Sequence, residues 1–168
     1  MRNTTLVALG AAACGIPLIA VATVLPASAG SHPPPIAVEE LTPRSTFTDD
    51  VSLRLKAEDD HGSRKARLKD PSLTTVARIT VQPAAPFPLH HHPGPVIVNV
   101  AQGELTYLDE GCGAHVYPAG TAFVDTGDDV HSAFGSSEVP TVLYATFLGA
   151  PPLPGKLTIP EAAQVPCS

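Results

Sequence analysis

Three histidines stand side by side at positions 90 to 92, inside the run Pro88-Leu89-His90-His91-His92-Pro93-Gly94-Pro95. In an extended chain side chains alternate faces, so His90 and His92 point to one side and His91 to the other. Two imidazoles about 6 to 7 Å apart along a strand both reach one metal ion. A third histidine from another strand would complete a facial set of nitrogen ligands for one divalent transition metal: iron, manganese, zinc, copper or nickel. His131, within the strand-like run Val130 to Phe134, is the candidate. His115 is a reserve ligand, while His32 and His61 fall in polar segments where solvent exposure is expected. Plainer readings stand beside this one. Three histidines before a proline also describe a surface loop that binds metals adventitiously, and His131 taken alone reads as a hydrogen-bonded structural residue.

Such ligands need strands to position them. The chain has 168 residues, 19 of them Pro and 13 Gly, with no Trp and 15% charged residues, enough for one core of modest size. Pro removes a helical donor and clashes with the preceding turn, so long helices and coiled coils are not expected. Val51, Leu53 and Leu55 alternate with polar residues at strand periodicity. Short strands are expected at 75–82, 95–101, 104–109, 121–125, 130–134 and 139–148, with a further one near 157–159. Gln102-Gly103, Glu110-Gly111 and Thr126-Gly127-Asp128 are turn signals between them. The segment EDDHGSRKARLKD (58–70) mixes charges of both signs and reads as a solvated loop, with a patch for phosphate or an acidic partner as the alternative. Residues 31–50 read as an arm with little regular structure. These spacings argue for an antiparallel sandwich or small barrel.

The amino terminus reads as an export signal. MRNTT precedes an uncharged run, Leu6 to Leu25, and then Pro26-Ala27-Ser28-Ala29, with cleavage expected before Gly30 and a secreted or extracytoplasmic product. An uncleaved membrane anchor is the alternative. Export would remove Cys14 and leave Cys112 and Cys167 in an oxidising compartment, where pairing is expected. The formal charge of -6 argues against nucleic acid as a partner. Beyond the leader no membrane partner is expected either. The organisation expected is therefore a leader at 1–29, an arm and first strand at 30–71, a barrel at 72–150, and a tail at 151–168 tied by the disulfide.

At the histidine run the sequence resembles the cupins, small double-stranded β-helix barrels of the jelly-roll type. Their first motif, G-x5-H-x-H-x3,4-E-x6-G, is met by His90, His92 and Gly103, and their second, G-x5-P-x-G-x2-H-x3-N, by Pro118-Ala119-Gly120. Ala84 and Cys112 occupy the leading glycine positions, Val96 the glutamate and Phe123 the second-motif histidine. His131 lies eight residues beyond Phe123, and Gly135 then replaces the asparagine, so an enlarged 125–129 loop is required. The resemblance covers about 72–148 and implies an all-β jelly-roll barrel with a metal at His90, His92 and His131. It implies a small-molecule ligand, and pairing into homodimers is common in the family.

The missing carboxylate has a physical consequence. Three neutral imidazoles leave a divalent ion with its full charge, so an anionic chelating ligand such as a diketonate, thiolate or hydroxy acid gains more there than beside a glutamate. Some cupin dioxygenases use three histidines and no carboxylate. The resemblance thus implies a metal-dependent oxygenase, isomerase or lyase, with Tyr107, Tyr144 and Asp125 as candidate bases. A non-catalytic module that captures a metal or small ligand remains the alternative. Val96 is also compatible with a barrel that has lost its metal.

Overall fold

A computed structural model describes residues 33–59, 62–69 and 73–162. The expected leader, its cleavage site, His32, His61 and Cys167 lie outside the described residues. In β4 (Thr74–Val81) and β11 (Thr141–Leu148) every second side chain is buried, as a sheet with one face on a core requires. These two strands form the middle of a five-stranded antiparallel sheet in the order β1 (Ile36–Glu40), β4, β11, β6 (Val96–Gln102), β9 (Ala122–Asp125). A second antiparallel sheet runs β12 (Ile159–Pro160), β5 (Pro86–His91), β10 (His131–Gly135), β7 (Glu104–Leu108), β8 (Ala114–Pro118). From β4 onward the chain changes sheet at every step except between β7 and β8. That winding is the double-stranded β-helix of a jelly-roll barrel.

The two sheets contribute unequally to the interior. Ile79 and Val81 of β4, Val96, Val98 and Val100 of β6, and Leu143 and Phe147 of β11 supply most of the buried hydrocarbon. The second sheet adds Leu105 and Ala133, but it also turns Tyr107, His90 and His131 inward. Apart from the buried Asp125 of β9, the first wall is therefore mainly apolar, and the second carries His90, His131 and Tyr107.

Three elements differ from the sequence expectation. The arm is not irregular: β1 pairs with β4 from Ile36↔Val81 to Glu40↔Ala77 and extends the first sheet. The segment read as a solvated loop is β3 (Gly62–Lys69), paired with β2 (Ser52–Asp59) in a separate two-stranded sheet. Lys65, Arg67 and Lys69 sit on alternate positions, and with Arg64 they mask a period of two in which Leu68 faces Leu53 and Ala66 faces Leu55. β8 carries no clear strand signal in the sequence, because even its inward side chains, His115 and Tyr117, are only half-buried.

Backbone conformation supports the motif alignment where side chains do not. Ala84 and Cys112, which stand at the two positions of the family's leading glycines, have φ of 58° and 64°. The left-handed turn persists at both, at a cost of roughly 1 to 2 kcal/mol for a residue with a Cβ. Gly103, at the expected turn, has φ of 72°, and a Cβ there would lie 2.8 Å from the Thr141 hydroxyl.

Candidate metal centre

His90 and His131 are direct partners in the ladder between β5 and β10. Two steps along β10 (131 to 133) are matched by three along β5 (90 to 87), so β5 carries a bulge. The extra residue brings Phe87 onto the same inner face as His90, three positions away; both line the cavity. His92 follows the end of β5, where its backbone N–H donates to the Gly127 carbonyl at 2.9 Å. Gly127 lies in the 125–129 loop, which makes the room that His131 requires. Its φ is 98°, and a Cβ there would come within 2.6 Å of the Gly94 carbonyl carbon.

The three rings converge. One ligand atom from each of His90, His92 and His131 lies within 4.8 Å of the others, and all three residues are buried. The Nδ1 atoms are engaged by oxygen acceptors: Pro88 O at 2.7 Å for His90, Leu157 O at 2.8 Å for His92, and Asp129 O at 2.9 Å for His131. An Nδ1–H donated to a carbonyl leaves Nε2 as the lone pair, the tautomer that a metal ligand needs. Burial, followed by the neighbouring rings of His131 and His92, pushes the His90 pKa down to about 4. Burial also lowers that of His92. Both imidazoles are therefore neutral near pH 7, the form that coordinates a cation. Three oriented imidazoles, with no fourth protein ligand among the described residues, fit a divalent metal that keeps positions open.

Asp125 braces this set. Its Oδ2 lies 3.2 Å from His131 Nδ1 and accepts from the Tyr107 hydroxyl at 3.2 Å, while its Oδ1 accepts from Gly127 N at 2.6 Å. Tyr107 also stacks on His131, with ring centroids 4.6 Å apart. Burial and the Asp125 charge push the Tyr107 pKa far up, so the phenol is a donor and not a base. Tyr144 drops out as a candidate base: it sits on the exposed side of β11, 39% accessible, because its position alternates with the buried ones. His115 is not part of the group. It lies on β8 with its Nε2 3.5 Å from Asp109. His91 faces outward, as alternation demands, with its Nδ1 2.8 Å from Glu161 Oε1.

The site opens into a cavity of about 480 Å³. Val96, in the position of the family's glutamate, is buried, lines that cavity and lies opposite Asp125 in the ladder. Phe123, in the position of the second-motif histidine, lines it too and stacks on Tyr117 at 4.2 Å. Three lining residues are not signalled by the sequence: Glu40, Arg44 and Lys156. Arg44 donates to both Glu40 carboxylate oxygens, at 3.0 and 2.7 Å, and to the carbonyls of Pro151 and Gly155, at 2.7 and 2.6 Å. The guanidinium holds the Glu40 carboxyl below its ordinary pKa. Glu40 is only four residues from Arg44, but no local pattern signals the clamp, since Pro151 and Gly155 lie more than a hundred residues away.

No family model matches the sequence, and no curated protein matches it. Among solved structures the chain is similar to a cupin-like protein from Thermotoga maritima, 24% identical over 45% of this chain and 57% of that one, TM-score 0.43. It is similar to an oxalate oxidase, 23% identical over 70% of this chain and 52% of that one, TM-score 0.45. It is also similar to a cupin 2 conserved barrel domain protein from Leptotrichia buccalis, 12% identical over 67% of this chain and 40% of that one, TM-score 0.46. The chain thus spans about half the length of these structures, and each likeness is one of fold. Strand order makes this an all-β jelly-roll barrel, with three buried histidines gathered inside it.

Proposed function

We propose that the chain is an exported cupin that binds one divalent transition metal through His90, His92 and His131 and acts on a small anionic chelating molecule as a metal-dependent oxygenase or isomerase. The convergence of three buried imidazoles, each with Nδ1 held by a carbonyl, carries this reading. When bound, the metal would supply a Lewis acid that binds and polarises the substrate's anionic head. The chain's own residues define the rest of the ligand. The wall opposite the histidines is hydrocarbon from Val98, Leu143 and Phe147, which suits an apolar body and excludes water.

One observation favours a non-catalytic binding module as the second reading. Asp125 is the carboxylate beside the histidines, and both its oxygens are occupied by Tyr107, Gly127 and His131. No free base stands next to the ligand position among the described residues. Metal analysis of the purified chain, followed by oxygen uptake with diketone, thiol and phenolic compounds, separates the readings. Stoichiometric metal with turnover supports the enzyme. Stoichiometric metal with binding but no turnover supports the module. A metal-free protein that takes up no added metal overturns both.

A further inference from the structure

We propose that the hairpin of β2 and β3 is a docking face for an anionic membrane surface. Register places Arg54 opposite Arg67, Lys56 opposite Lys65, and Ser52 opposite Lys69, and all of these side chains are exposed on one face. Five cations thus form two rows, about 7 Å apart along each strand and about 5 Å apart between strands. Among the described residues the face includes one acid, Glu58, which accepts from Lys56 Nζ at 2.5 Å. The opposite face carries Leu53, Leu55, Ala66 and Leu68, all half-buried, and the Leu68 side chain packs at Gly149 beside the barrel. The cationic face therefore points to solvent.

Two observations indicate that this face meets an anion. Like charges directly across a ladder repel, and the hairpin accepts that arrangement twice in succession. A surface that neutralises both rows removes the repulsion. The charge is also segregated. Segment 52–69 holds six of the ten basic side chains against three acidic ones, so it is +3 in a chain of -6, leaving -9 elsewhere. The charge nearest a surface governs its attraction, since charges beyond a Debye length are largely screened, whereas a polyanion that wraps would also meet the acidic remainder. The expectation against nucleic acid rests on net charge, and the one against a membrane applies beyond the leader. Net charge averages over a polarity that the register exposes. Among the described residues no helix is long and apolar enough to cross a bilayer, so attachment through this face is peripheral.

The test is partition of the full chain onto vesicles of phosphatidylglycerol and phosphatidylcholine, compared with phosphatidylcholine alone. Taking the ratio removes any contribution of the apolar run at 6–25, which is common to both. A net of four charges is expected to favour the anionic vesicles on the order of a thousandfold at low salt, declining as salt is raised. The double variant Lys65→Gln/Arg67→Gln should lower the ratio roughly thirtyfold. Its unfolding midpoint should hold or rise, since each substitution removes one of two opposed charges. Arg78→Gln, on the outer side of β4, should leave the ratio unchanged. Should the double variant unfold, Glu58→Gln must raise the ratio instead. Equal partition onto both vesicles, no loss in the double variant, or no gain with Glu58→Gln overturns the proposal. Tighter binding to an oligonucleotide at the same salt, lost in the double variant, would assign the face to nucleic acid and overturn the membrane.

Discussion

At the residue scale, alternation along β5 makes the three adjacent histidines unequal. His90→Ala and His92→Ala should each abolish stoichiometric metal, counted per chain after dialysis, whereas His91→Ala should retain it because that ring meets Glu161 outside the barrel. Equal losses in all three would contradict the strand assignment. Val96 tests the charge argument: Val96→Glu restores an acid beside the imidazoles. The variant should bind metal more tightly and an anionic diketone more weakly, since the carboxylate offsets part of the ion's charge. Titration of both ligands into the variant and its parent reads the two opposed shifts. The His90 and His92 pair was legible in sequence because a period of two is local. The bracing of His131 by Asp125 was not, because it depends on how the 125–129 loop folds back toward Gly94.

At the scale of elements, the segment from Pro151 to Leu157 is a strap across the cavity that reports on the metal site. Arg44 fixes it at Pro151 and Gly155, and further along the carbonyl of Leu157 orients His92. Arg44→Ala should cost about 2 kcal/mol, given the charged hydrogen bonds lost. It should also weaken metal binding about tenfold through the freed carbonyl that holds His92. Arg44→Lys should not rescue either effect, since an ammonium cannot reproduce a planar fork shared between a carboxylate and two carbonyls. Calorimetric unfolding and metal titration measure both, and rescue by lysine would refute the clamp. The strands of the barrel's middle were readable because each buries alternate residues. β1 and β3 were not, since edge and hairpin strands bury too little to stand out against Pro and charge. At Ala84 a local rule is broken. Ala84→Gly should raise the unfolding free energy by roughly 0.5 to 1 kcal/mol, because relief of a left-handed alanine exceeds glycine's added entropy. A lower midpoint would mean that the turn relaxes with the substitution.

At the scale of the whole molecule, the barrel is closed at its functional end by chain from both termini. The amino-terminal β1 and Arg44 meet the carboxy-terminal strap, whose β12 then pairs with β5 directly beneath His90 and His91. This arrangement gives the proposed bridge between Cys112 and Cys167 a role beyond stability. Cys112 occupies the turn between β7 and β8, where its N–H donates to Asp109 O at 3.0 Å. Its proposed partner lies outside the described residues, at the far end of the tail. Closing a loop of about 55 residues stabilises a fold by roughly 4 kcal/mol on the chain-entropy model. Because the strap leads into that tail, loss of the bridge should loosen the Leu157 carbonyl and weaken metal binding together with the fold. Alkylation without reductant should leave Cys112 and Cys167 unmodified in mass spectrometry, and reduction should lower both the unfolding midpoint and the metal affinity. Two alkylated thiols in the unreduced protein would refute the bridge. A bridge whose reduction lowers the midpoint and leaves metal affinity unchanged would mean that the strap is held by Arg44 and β12 without help from the tail.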